Sequence, residues 1–98
     1  MEDPHAIKRG VIIKLLVAYY PHPKAVGDLL VALVKGQAQQ MDMRGLAVHL
    51  GYLQDKGYVV MERLHSGRAN FELQTVRLSA RGLDLHDGRI PQDDGVWI

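Results

Sequence analysis

Met41-Asp42-Met43-Arg44-Gly45-Leu46-Ala47-Val48-His49-Leu50-Gly51-Tyr52-Leu53-Gln54-Asp55-Lys56-Gly57-Tyr58 is the stretch whose reading decides the fold. Leu46, Leu50 and Leu53 recur at steps of four and three, which places them on one stripe of a helix. Asp42 has the short carboxylate that caps a helix N-terminus, and Gly57 is the residue best able to end one in the left-handed conformation. The spacing therefore predicts one delimited helix from Asp42 to Gly57.

Downstream the period changes from about 3.6 to 2. Tyr58-Val59-Val60-Met61-Glu62-Arg63-Leu64 is rich in strand formers, Ser66-Gly67-Arg68-Ala69-Asn70 has turn composition, and Phe71 to Leu78 returns as a second strand. The pair reads as a hairpin. Ser79 then caps a short helix, Ala80 to His86, with Leu83 facing the core, followed by a polar, acidic tail that closes on Val96-Trp97-Ile98. Three apolar residues together in water favour docking of that segment on the protein's own body or across a dimer.

Upstream, two more helices are expected. Asp3 and Pro4 suit a helix start, and Ile7, Val11, Leu15 and Ala18 recur at helical spacing up to about Tyr20. Ile12, Ile13, Leu16 and Val17 widen this apolar arc, so the helix either lies centrally or offers a second face to a partner subunit. Pro21-His22-Pro23 stops it, and Lys24 to Gln37 forms the second helix, with Val26, Leu29, Leu30, Leu33 and Val34 on its apolar face. Gly36 to Gln40 is a polar connector.

The chain has 98 residues, enough for one core but not two. Hydrophobic residues make up 47% and charged residues 23%, which argues against wholesale disorder. There is no cysteine, so disulfides and thiolate metal sites are excluded. Twelve basic residues face 11 acidic ones, a net charge of +1, so anion binding must come from local placement of charge. Residues 1–5 lack the basic start of a signal peptide, and Gly10 to Tyr20, the most apolar segment, contains Lys14 and is about half a membrane span. A soluble, cytoplasmic protein is expected.

Two phrases resemble winged helix-turn-helix regulators. Leu50-Gly51-Tyr52-Leu53-Gln54-Asp55-Lys56-Gly57-Tyr58-Val59 is similar to the run with which many of them leave the recognition helix and enter the wing. Arg77-Leu78-Ser79-Ala80-Arg81-Gly82-Leu83-Asp84-Leu85 resembles their strand-to-helix phrase. The small size and the ending from Asp84 to Val96 also look like small winged-helix proteins of Mu-like phages and prophages, often labelled transcriptional regulators. The resemblance implies an α+β winged helix-turn-helix: a three-helix core, a two-stranded wing and a short C-terminal helix over residues 1–88, with a tail over 89–98. It implies a sequence-specific regulator of transcription that binds double-stranded DNA, without a cofactor, as a homodimer meeting through the first helix and the tail.

In such a fold the third helix enters the major groove and the wing holds the backbone. With Leu46, Leu50 and Leu53 inward, the outward face carries Arg44, Ala47, Val48, Gly51 and Asp55. Arg44 alone there can make a bidentate guanine contact, whereas Ala47 and Val48 suit thymine methyls. The wing supplies Arg63, His65, Arg68 and Asn70, and Lys24 at the start of the second helix adds a phosphate contact. Five scattered histidines lack the paired spacing of a zinc helix, and no nucleophile elbow, phosphate loop or dinucleotide fingerprint is present, so neither a metal site nor an enzyme is expected. Asp93 and Asp94 fall in a segment that reads as flexible. The alternative function is a winged-helix module that binds protein and not DNA, motivated by the near-neutral charge, Asp55, the broad apolar first helix and the apolar terminus.

Overall fold

Asp3 opens the first helix as its sequence suggests: the side chain accepts the His5 N–H at 2.9 Å, and Pro4 occupies the first turn. A computed structural model describes residues 3–37, 39–62 and 74–98. Helix α1 spans Pro4–Val17 and buries Ala6, Gly10, Ile12, Ile13 and Leu16. It packs against α3 (Met43–Asp55), α4 (Ala80–His86) and the strand β3 (Thr75–Leu78), so its wide apolar arc is that of a central helix. It stops at Val17, short of Tyr20. Pro21 disfavours helical geometry at Tyr20, and the chain tightens through i→i+3 bonds from Ala18, Tyr19 and Tyr20 to Leu15, Leu16 and Val17.

The second helix starts later than its apolar periodicity suggests. Lys24–Ala25 forms a short strand, β1, antiparallel to β3 with Lys24 opposite Val76 and Ala25 opposite Thr75. Helix α2 then covers only Val26–Val31, and Ala32–Gly36 continues as a π-helical turn closed by the Gln37 N–H on the Ala32 carbonyl at 3.1 Å. Val26, Leu29 and Leu33 are fully buried, but Val34, expected on the same face, is 42% exposed. The extra residue in the π turn takes it out of the α-helical register.

Helix α3 agrees closely with the expected limits. Asp42 accepts the Gly45 N–H at 2.7 Å, and Leu46, Leu50 and Leu53 have no exposed surface. At the other end Gly57 has φ +81°, its N–H donates to Gln54 and the Tyr58 N–H donates to Leu53, the paired bonds of a Schellman motif. The chain leaves this turn as β2 (Val59–Glu62), which pairs with β3 from Val59 opposite Leu78 to Glu62 opposite Thr75. Among the described residues the sheet is therefore three-stranded, in the order β1-β3-β2, with a strand beyond the two expected for the wing. The architecture is α+β, with four α-helices and this small antiparallel sheet among the described residues.

Ser79 caps α4 by accepting the Gly82 N–H at 3.0 Å, and the same hydroxyl donates to the Gly57 carbonyl. Arg81 Nε reaches the Lys56 carbonyl at 3.1 Å, so α4 is tied to the end of α3. A Cβ at Gly82 would lie 2.2 Å from the Tyr58 carbonyl oxygen and 2.7 Å from a Leu78 methyl, so the helix sits closer to the β2 entry than any other residue permits. Beyond α4 the tail returns to α1. Val96 is buried in the core, Ile98 packs against it, and the Trp97 N–H donates to the Ala6 carbonyl at 2.9 Å. The chain crosses α1 at Gly10, where a Cβ would meet the Trp97 backbone. The tail thus covers a face of α1 that the sequence left open to a partner, while the Trp97 ring stays 52% exposed. Among the described residues no helix is long and apolar enough to cross a membrane.

Gly82→Ala should lower stability by about 1–3 kcal/mol through overpacking against Tyr58 and Leu78. A drop in the urea midpoint without a change in slope would show it.

Candidate nucleic-acid interface

The outward face of α3 follows from its inward one. Leucines at 46, 50 and 53 turn Arg44, Val48 and Asp55 to solvent, with Val48 63% exposed. Ala47 and Gly51 are half-buried beside them, and a Cβ on Gly51 would meet nothing within 4 Å. The helix therefore presents a shallow strip with one cation, one anion and a small apolar centre.

Lys24 is displaced from its expected role. It lies in β1, not at a helix start, and the first helical N–H, that of Val26, is already bound to the Gln74 carbonyl at 2.9 Å. The Lys24 ammonium sits 4.2 Å from the centre of the Tyr19 ring, and its strand pairs with β3 where β3 also meets the far end of β2. This puts Lys24 at the base of the β2–β3 connection. Arg63, His65, Arg68 and Asn70 lie outside the described residues.

One flank of α3 carries groups that sequence reasoning left aside. His49, on the core side, is only 5% exposed, and its ring centre is 5.6 Å from that of His5 on α1. Burial lowers its pKa from 6.5, as do Arg9, His5 and Lys8, against a weaker opposing pull from Asp3. The neutral ring is therefore the folded form at neutral pH.

Further along the same flank the tail is pinned by a polar cluster. Asp93 accepts from the Tyr58 hydroxyl at 2.8 Å, the Gly95 N–H at 2.8 Å and the Tyr52 hydroxyl at 3.5 Å, and Lys56 Nζ stands 3.7 Å away. Burial pushes its carboxyl up, but the Gly95 N–H, Tyr58 hydroxyl and Lys56 outweigh that and hold it below the usual value of 3.8. Burial and the Asp93 carboxylate both raise Tyr58 from 10.0. The Arg9 guanidinium lies 3.8 Å over the Tyr52 ring and donates to the Gly95 carbonyl at 3.2 Å. Gly95 itself leaves no room for a Cβ, which would fall 2.0 Å from the Tyr52 hydroxyl.

Asp93 is thus an anchor and not part of a flexible segment. Its partners lie 35 and 41 residues away, beyond any local pattern, and the only sequence signal was the apolar Val96-Trp97-Ile98 that follows. Among the described residues no three His, Asp or Glu side chains gather as a metal-binding group. No protein-family model, curated protein or solved structure matches the chain.

Two pH effects follow. Unfolded His49 binds a proton near 6.5 and the folded form resists it, so stability should fall as pH drops from about 6.5 towards the lower folded value; His49→Gln should flatten this limb of the unfolding free energy. Asp93 acts in a more acidic window: its contribution is present above about pH 4 and is lost as pH falls through the depressed folded value. Asp93→Ala should cost about 2 kcal/mol at pH 7 and increase hydrogen exchange at Val96 and Trp97.

Proposed function

We propose that the chain is a winged-helix protein that binds double-stranded DNA and regulates transcription, with α3 in the major groove and the β2–β3 wing on the backbone. The observation that carries this reading is the strip of exposed Arg44 and Val48 with half-buried Gly51, on a helix whose other face is fully buried, directly followed by the β2–β3 pair. The order α1-β1-α2-α3-β2-β3 and the sheet order β1-β3-β2 are compatible with a winged helix. In this assignment Arg44 reads guanine, Ala47 and Val48 touch thymine methyls, and Gly51 lets the groove edge approach the helix. Arg63, His65, Arg68 and Asn70 serve the wing, and Lys24 stands at its base.

A cytoplasmic homodimer belongs to the same proposal, because joining two half-sites compensates for a helix with a single strong base-reading side chain. The exposed Trp97 ring beside α1 is the apolar group such a dimer would bury. A second reading, a winged-helix module that docks on protein, is favoured by the 63% exposed Val48 on the same helix face as the exposed Asp55.

Selection of bound duplexes from a random pool at moderate salt tests the two readings. The DNA reading expects an enriched motif, affinity that falls with salt, and a loss of at least about tenfold in Arg44→Ala with Arg68→Ala. No enrichment and no salt dependence would leave the protein-docking module.

A further inference from the structure

The start of α1 is held by two neighbours at once. His5 faces His49 of α3, with their ring centres 5.6 Å apart, and the buried Ala6 accepts the Trp97 N–H on its carbonyl at 2.9 Å. The tail cannot follow α1 if α1 moves. Asp93 is fixed to Tyr52, Tyr58 and Lys56 around the C-terminal end of α3, and Val96 lies in the core. A shift of residues 4–8 away from α3 therefore breaks the Trp97–Ala6 bond. Further along the helix, Arg9 is held 3.8 Å over the Tyr52 ring and bonded to the Gly95 carbonyl, which limits the shift to the residues before it.

The contact between the two histidines tolerates a neutral His49 ring and not a charged one. His49 is only 5% exposed, and its Nδ1 has no hydrogen-bond partner. An imidazolium carries N–H on both nitrogens, so protonation would leave a buried, charged donor without an acceptor. Among the described residues neither His5 nor His49 forms an ion pair with a carboxylate. The charged and titratable groups around the ring are Asp3, His5, Lys8 and Arg9 from the start of α1, and Asp42 and Arg44 from its own helix and cap. Both carboxylates already cap helices, Asp3 on the His5 N–H and Asp42 on the Gly45 N–H. Burial, then Arg9, His5 and Lys8, oppose the charge, and the pull of Asp3 is weaker.

We propose that the His5–His49 contact is a proton-operated latch: a proton on His49 parts residues 4–8 of α1 from α3 and frees Trp97 and Ile98, while α3, the sheet and the Asp93 anchor stay in place. The closed form binds this proton less readily than the open one, so opening takes up a proton and grows as pH falls below about 6.5. Asp93 keeps its charge through this window, since its carboxyl is held below 3.8. Mild acid thus releases the end of the tail and uncovers the apolar seat at Ala6, a local event distinct from the loss of overall stability. The latch rests on the α1–α3 contact alone and does not require that α3 read DNA.

Hydrogen exchange of the full chain, corrected for the intrinsic effect of pH, tests the latch. Between about pH 7 and pH 5 the Trp97 amide should lose protection about tenfold, the scale set by uptake of one proton. The amides of Tyr58 and Ser79, bonded to the Leu53 and Tyr58 carbonyls away from α1, should keep theirs. Trp97 is the only tryptophan, so its fluorescence should change over the same range. His49→Gln should abolish the pH dependence at Trp97. Should that variant fail to fold, the His49 ring signals of the unaltered chain decide the same point, because the midpoint of Trp97 opening must coincide with their titration. Constant protection at Trp97, equal loss at Trp97, Tyr58 and Ser79, opening that persists in His49→Gln, or a midpoint that departs from the His49 titration overturns the latch.

Discussion

The left-handed turn at Gly57 governs how the parts of this protein meet. It ends α3, satisfies the Gln54 and Leu53 carbonyls, and sends the chain into β2 in the direction that lets β2 pair with β3. The carbonyls on either side of it, at Lys56 and Gly57, then receive Arg81 and Ser79. One backbone reversal thereby sets the angle between α3 and the sheet and also the seat of α4. A φ of +81° is comfortable for glycine and costly for other residues, so this geometry depends on one side chain being absent.

The features legible in the sequence were those coded over short distances. Asp42, the three leucines and Gly57 define α3 within one window, and Ser79 does the same for α4, because capping and apolar periodicity are local properties. Strand β1 was not legible: two residues, Lys24 and Ala25, contain no period, and only the approach of β3, some fifty residues later, makes them a strand. The π turn shares this cause, since Val34 carries the right hydropathy for the core and is turned away by backbone geometry. The outward face of α3 could be read by elimination, but the burial of His49 at its flank needed α1 alongside it, which no spacing within α3 reveals.

Charge placement shows the same division between local and distant order. A net charge of +1 suggests a neutral surface, yet the fold brings Lys8 and Arg9 near enough to His49 to act on its titration and commits Arg9 and Asp93 alike to the tail anchor. His49 lies where these influences meet, buried against α1 and flanked by its cations. Its neutral state therefore reports on whether α1 and α3 are in place.

The closure of the tail on α1 has a consequence for the order of events in folding. Ala6, Arg9 and Gly10 meet Gly95 and Trp97 across a long stretch of sequence, with 86 residues separating Arg9 from Gly95. Closing a loop of this span costs more chain entropy than any of the helical turns, so these contacts form after the local ones. Until then the furrow at Gly10 lies open and the core lacks Val96. The strap that seals the first helix is therefore the contact whose closure is dearest in chain entropy.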